Sequence, residues 1–166
     1  MKIKTDFVTN SSSSAFIVIW PHKITTVEDV SKYITRSDFI NPIFNDAKTQ
    51  QGLNINQESL KKIVDEIISG YVGGIEDFWD YKKKFCKREG IEERDLWENN
   101  AWYEQANKES EMLQRQQAAN MAKEFVYGKK GFLYFFSYGD NDGALFADLE
   151  HENNWGGLPF IRVSHH

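Results

Sequence analysis

Carboxylates and imidazoles are concentrated near the C-terminal end of the chain, and these side chains are the best suited to chemistry. Together they can bind a divalent metal ion, which would lower the pKa of a bound water molecule and prepare it for hydrolysis. If this segment forms strands, carboxylates two residues apart share one face and can share a cation. The candidate metal ligands are Asp140, Asp142, Glu150, His151, His165 and His166.

The spacing of these residues matches no standard metal-binding motif. When Gly143 is aligned with the invariant glycine of an EF-hand loop, Tyr138 and Leu149 fall on the first and last ligand positions, and neither can serve there. His151 is not followed by the second histidine of a zinc-protease helix, because Trp155 stands at that position. The spacing therefore favours an ordinary hairpin loop, in which Asp and Asn are common.

A run of hydroxyl and amide side chains near the N-terminus is a second candidate site. Six consecutive Thr, Asn and Ser residues, from Thr9 to Ser14, offer many hydrogen-bond donors that could cradle an anion. The alternative is a polar segment that leads into the first strand, and composition favours this alternative. The candidate anion-binding residues are Ser11, Ser12, Ser13 and Ser14.

The same N-terminal segment carries a resemblance to known proteins. Residues 5–16 resemble the opening Asp-Phe-Val-Thr-Asn-Ser-Ser-Ser-Ser-x-Phe that is shared by many uncharacterised proteins of bacteria and their phages. Residues 137–151 and 164–166 are similar to a subset of these proteins. The resemblance implies a bacterial or phage origin, and it brings no activity with it.

The basic residues of the chain are densest between Lys82 and Arg88, a cluster that is flanked by Phe78, Trp79, Tyr81 and Phe85. Such a mixture can bind single-stranded nucleic acid. A structural explanation is favoured, because the acids come first and the bases last, as the helix dipole prefers, and the aromatic residues have the spacing of a buried helix face. The net charge of −5 also disfavours nucleic acid. Cys86 lies on the same apolar face, which favours a buried core residue over a nucleophile.

Other classes are disfavoured by what the sequence contains. It has no glycine-rich nucleotide-binding motif and no Gly-x-Ser-x-Gly nucleophile elbow. The apolar run Ala15 to Trp20 is too short for a signal peptide or a membrane span. The single cysteine cannot form an internal disulfide, which suits a reducing compartment. We therefore expect a cytoplasmic protein.

The elements that must position these residues follow from the hydrophobic pattern. Strands are predicted at residues 14–20, 131–138, 144–150 and 159–165, with a hairpin loop at 139–143. Helices are predicted to start at Thr25 or Thr26 and to span 57–69, 75–88 and 92–127, the last as one helix or two abutting ones. Residues 37–56 are predicted to form a loop. This order indicates an α+β fold in a single domain, residues 1–166, with a mainly antiparallel sheet of about four strands, the N-terminal strand plus three C-terminal strands, packed against helices.

Two functions remain open at this point. The first is a small binding protein, a phage accessory or host-interaction factor with a protein partner. The second is a metal-dependent hydrolase that acts on phosphoesters or nucleotides through its C-terminal acids and histidines. Neither membrane insertion nor nucleic-acid binding is expected. The oligomeric state and any cofactor beyond a divalent metal stay open.

Overall fold

The structure, a computed structural model, describes residues 12–165. Its four strands form one antiparallel sheet in the order β2-β3-β1-β4. The strands are β1 (Ser13–Trp20), β2 (Leu53–Asn54), β3 (Phe132–Gly139) and β4 (Phe160–His165). The helices are α1 (Val27–Ser31), α2 (Ser37–Gln50), α3 (Gln57–Ser69), α4 (Phe78–Glu89), α5 (Glu93–Glu98), α6 (Asn100–Val126) and α7 (Ala144–His151). The predicted α+β class and antiparallel sheet are confirmed.

Strand β1 lies at the centre of the sheet and is buried on both faces, as its continuous apolar run predicts. Phe16, Val18 and Trp20 face one core, which α1, α2 and α7 cover. The alternate residues, Ala15 to Ile19, face a second core under α3 and α6. The sheet is therefore sandwiched between two layers of helices, and its side chains alternate between them.

A third apolar cluster lies among the helices, separate from both sheet cores. Phe85 and Cys86 of α4 pack there with Leu96 of α5 and Ala106 of α6. Helix α6 thus covers the sheet with its C-terminal half and holds α4 and α5 with its N-terminal half.

The predicted strand at 144–150 is wrong, because these residues form α7. A strand here would have to pair with the outer edge of β3, and that edge is already occupied by β2 and by the side chain of Gln50. The residues 139–143 accordingly form a single turn of 3-10 helix, Asp140–Asp142, rather than a hairpin loop. The sequence does contain a helical feature that the prediction missed. Residues 144–151 include no β-branched residue, and half of them are Ala or Leu, which favour helices.

Two further predictions are settled by local contacts. The predicted loop at 37–56 is mostly the helix α2, which tolerates Pro42 and buries Phe39, Ile43 and Ala47 at helical spacing.

The segment 92–127 contains two abutting helices, α5 and α6. They separate at Asn99, whose Oδ1 accepts hydrogen bonds from the backbone N–H groups of Ala101 and Trp102 at 3.0 and 3.3 Å.

The side chain of Gln50 takes the place of a strand at the outer edge of β3. Its Nε2 donates to the carbonyl oxygen of Phe135 at 2.6 Å, and its Oε1 accepts from the amide of Phe135 at 2.7 Å. Gln50→Ala would leave both half-buried backbone groups without a partner. We expect a loss of about 1–3 kcal/mol in the free energy of unfolding, measured by urea denaturation.

The exposed Gln116, also helical, provides the matched control for Gln50. Gln116→Ala is expected to change stability by less than about 0.5 kcal/mol. Equal effects of the two substitutions would show that the contact between Gln50 and Phe135 contributes nothing to stability.

Candidate functional site

A wide groove of about 650 Å³ opens at the end of the sheet where β1 begins and β4 ends. Its other wall is formed by the residues that follow α3 and by the first turn of α4. Aromatic, hydroxyl, carboxylate and imidazole side chains all line it, so it offers both apolar and polar contacts. The lining residues are Ser13, Ser69, Gly70, Tyr71, Asp77, Phe78, Trp79, Ser164 and His165.

Backbone pairing holds the walls of this groove together. Ser13 and His165 are opposite each other in the register of β1 and β4. On the outer edge of β4, Tyr71 and Ser164 exchange two backbone hydrogen bonds, of 2.8 and 2.9 Å. A side chain at Gly70 would place its Cβ 2.7 Å from the carbonyl oxygen of Ser164, so only glycine allows this close approach.

The groove brings together two residues that the sequence assigned to different sites, Ser13 and His165. His165 Nε2 lies 3.6 Å from Glu66 Oε1 on α3. Two other serines of the run, Ser12 and Ser14, are not among the residues that line the groove. Ser14 is fully buried and its hydroxyl accepts a hydrogen bond from Arg162 Nε at 3.1 Å, and Ser12 contributes its carbonyl to the amide of Asp140. Ser11 lies outside the described residues.

The remaining candidate metal ligands are dispersed by the helix that replaces the predicted strand. Asp140 and Asp142 lie in the 3-10 turn, whereas Glu150 and His151 end α7. His166 lies outside the described residues. Within residues 12–165, no group of three or more His, Cys, Asp or Glu side chains is placed to hold a metal ion.

Glu150 stands out among these residues because its side chain is completely buried. Neither of its carboxylate oxygens has a hydrogen-bond partner among the described residues. Nε2 of the exposed His151 lies 4.0 Å from Glu150 Oε2, beyond hydrogen-bond distance. The Glu150 carboxylate is therefore enclosed by the protein while His151 faces solvent, so the two do not form an open ligand pair.

A cluster of aromatic rings continues the groove across α4, α5 and α6. The ring centroids of Trp79 and Trp97 are 5.8 Å apart, and those of Trp97 and Tyr103 are 5.4 Å apart. Phe78 lies 5.6 Å from Tyr103 and also lines the groove. We call the continuous patch formed by Tyr71, Phe78, Trp79, Trp97 and Tyr103 the aromatic surface.

The prediction that Trp79 faces the core is wrong, because its side chain is 58% exposed. Lys82 takes the inward position on this face of α4 and is only 8% exposed. Its Nζ lies 4.2 Å from the ring centroid of Trp79 and forms an ion pair of 3.2 Å with Glu93 of α5. The apolar stem of a lysine can fill a helix interface in this way when its charge is paired. No role was predicted for Trp97 and Tyr103, although each is followed directly by a glutamate, which places an aromatic ring and a charge side by side.

Cys86 is buried beside this surface, as predicted, with 5% of its area exposed. Burial disfavours the thiolate and raises the pKa of Cys86 above its usual value, and the negative charge of Glu93 adds to this effect. We expect a thiol reagent to label the native protein much more slowly than the chain unfolded in guanidinium chloride. Equal labelling rates in the two states would contradict the inert, buried thiol.

No helix within residues 12–165 combines the length and the apolar character needed to cross a bilayer. The chain matches no protein-family model, no curated protein and no solved structure.

Proposed function

We propose that this chain is a binding protein and that it docks a protein partner on the aromatic surface. The observation that carries the proposal is the exposure of four large aromatic side chains on one continuous patch. Tyr71 is 61% exposed, Trp79 58%, Trp97 45% and Tyr103 37%. Contiguous exposed apolar patches are typical of interaction sites, and Trp and Tyr are enriched among the residues that dominate binding energy.

The packing of α4, α5 and α6 against one another has its own apolar cluster and does not explain why these rings are exposed. The third apolar cluster already joins α4, α5 and α6 through Phe85, Leu96 and Ala106, each of which is at most 1% exposed. Trp79, Trp97 and Tyr103 are not part of this cluster and stand on the same three helices. Rigid helices that present large aromatic side chains to solvent form a preorganised docking site, because few rotamers have to be fixed on binding.

We also propose where the protein is located and from what source it comes. We propose a cytoplasmic protein of bacterial or phage origin that serves as a phage accessory or host-interaction factor. The single buried Cys86 suits a reducing compartment. The resemblance of residues 5–16 to bacterial and phage proteins supports the origin.

Site-specific photo-crosslinking tests the docking site. A photoreactive phenylalanine analogue at Tyr71 reports on the groove, and the same analogue at Tyr127, which is 85% exposed and outside the surface, is the control. We expect the full chain, expressed in a bacterial host, to form a discrete protein adduct from position 71 and none from position 127. The double variant Trp79→Ala with Trp97→Ala should suppress that adduct while circular dichroism shows an intact fold.

Two results would contradict docking at this surface. One is an adduct that forms equally from both positions. The other is an adduct from position 71 that the two tryptophan substitutions leave unchanged.

A further inference from the structure

We infer that the aromatic surface recognises a cationic segment of the partner, with arginine or lysine side chains packed on the rings of Trp79 and Trp97. This inference rests on the proposed docking function and names the chemistry of the partner. Two independent observations carry it: the charges that border the rings, and the cation that the same rings already hold.

Each part of the aromatic cluster is bordered by carboxylates. Asp77 and Asp80 flank the pair Phe78-Trp79, and Glu98 and Glu104 directly follow the other two rings. Between residues 77 and 104, the segment that carries these rings, there are eight acidic residues and six basic ones. The segment therefore has a net negative charge, and the carboxylates beside the rings favour a cation there.

The acids that border the rings are not neutralised by neighbouring bases. Asp80, Glu98 and Glu104 are exposed and form no ion pair within the described part of the chain. By contrast, Lys84 on α4 is paired with Glu76, and Arg88 with Glu109. The unpaired carboxylates are thus available to a ligand.

The rings already bind a cation from within the protein. Lys82 Nζ lies 4.2 Å from the centroid of Trp79 and 5.4 Å from that of Trp97, both within the range of a cation–π contact. Lys82 is buried and its charge is balanced by Glu93, so it does not repel a second cation from outside. The exposed parts of the same two rings remain free for that second cation.

The groove supports an extended conformation for the docked segment. It continues from Trp79 past Tyr71 to Ser13 and His165, and Asp77 lines it. In an extended chain, alternate side chains are about 7 Å apart on one face. This spacing is close to the 5.8 Å between the ring centroids of Trp79 and Trp97. Two basic residues separated by one other residue would therefore reach both rings.

Short synthetic peptides test the cationic segment with the full chain. The probe is a peptide of alternating arginine and glycine, compared with peptides in which glutamate or glutamine replaces arginine. Binding is measured by isothermal titration calorimetry and by tryptophan fluorescence. We expect the arginine peptide alone to bind, and its affinity to fall as sodium chloride is added.

Matched variants separate the charges from the rings. Asp80→Asn with Glu98→Gln removes charge and keeps the rings, whereas Trp79→Ala with Trp97→Ala removes the rings and keeps the charges. Each pair should weaken binding of the arginine peptide about 5- to 30-fold. The control Glu28→Gln with Glu124→Gln removes two exposed acids elsewhere and should leave the affinity within about twofold.

The outcomes distinguish this inference from the docking proposal. Equal binding of the glutamate or glutamine peptide, or wild-type affinity in the charge-removing variant, would overturn the cationic segment. If the arginine peptide fails to bind while the adduct from position 71 still depends on both tryptophans, docking stands and the cationic segment is wrong. If the adduct also fails, both are wrong.

Discussion

Replacing Phe136 with alanine is expected to lower the free energy of unfolding by about 3–5 kcal/mol. Phe136 is 1% exposed and lies between Tyr134 and Tyr138 on one face of β3. Its ring also stacks on Trp155, with centroids 5.2 Å apart and planes inclined by 19°. The substitution would leave a cavity lined by three aromatic rings and would end their contacts with Phe136. Domains of this size have a total stability of about 5–15 kcal/mol, so the loss is a large share.

Urea denaturation followed by circular dichroism measures this loss. Tyr127→Ala is the control, because that side chain is 85% exposed and should change stability by less than about 0.5 kcal/mol. A loss below about 1 kcal/mol for Phe136→Ala would show that the aromatic stack on β3 contributes little to the core between the sheet and helices α1, α2 and α7.

The second large effect is expected at Gly156, in the loop between α7 and β4. Its φ is +63°, and an added Cβ would lie 2.0 Å from the carbonyl oxygen of Tyr33. Gly156→Ala therefore meets both a strained backbone conformation and a backbone clash. We expect the left-handed conformation to cost about 1–2 kcal/mol and the clash about 1–3 kcal/mol more. Because Trp155 beside it is buried in the aromatic stack, the loop has little freedom to move away.

Gly157 separates these two contributions. It also has a positive φ, +81°, but an added Cβ there meets nothing within 4 Å. Gly157→Ala should therefore cost only the conformational part. If thermal or urea unfolding gives the same loss for both alanine variants, the close contact between Gly156 and Tyr33 is not a constraint on the fold.

These two substitutions also bear on the proposed site. Phe136 lies in the sheet core that α1, α2 and α7 cover, and Gly156 abuts Tyr33 at the border of that core, whereas Trp79 and Trp97 stand on helices that pack through the third apolar cluster. Under conditions in which either variant is still folded, its binding at the aromatic surface should therefore be unchanged.

Local patterns in the sequence determined much of the fold. The continuous apolar run Ala15 to Trp20 predicted a strand that is buried on both faces. The apolar residues in 57–69 recur with the period of a helix and predicted an amphipathic helix. Both elements are confirmed, because each pattern can be buried by only one kind of element. The antiparallel α+β class followed from the order of these elements. The burial of Cys86 followed from its place on an apolar helix face.

Only the tertiary structure decided the features that depend on distant partners. Residues 144–150 form a helix because Gln50 and Leu53, far away in the chain, already occupy the edge of β3. Trp79 is exposed because Lys82 takes the inward position, where Glu93 balances its charge. Ser13 and His165 share a groove because β1 pairs with β4 across almost the whole chain. The spacing of apolar residues indicates which secondary structure each segment prefers. Which segments then pair or pack together depends on tertiary contacts that form only when the chain has folded.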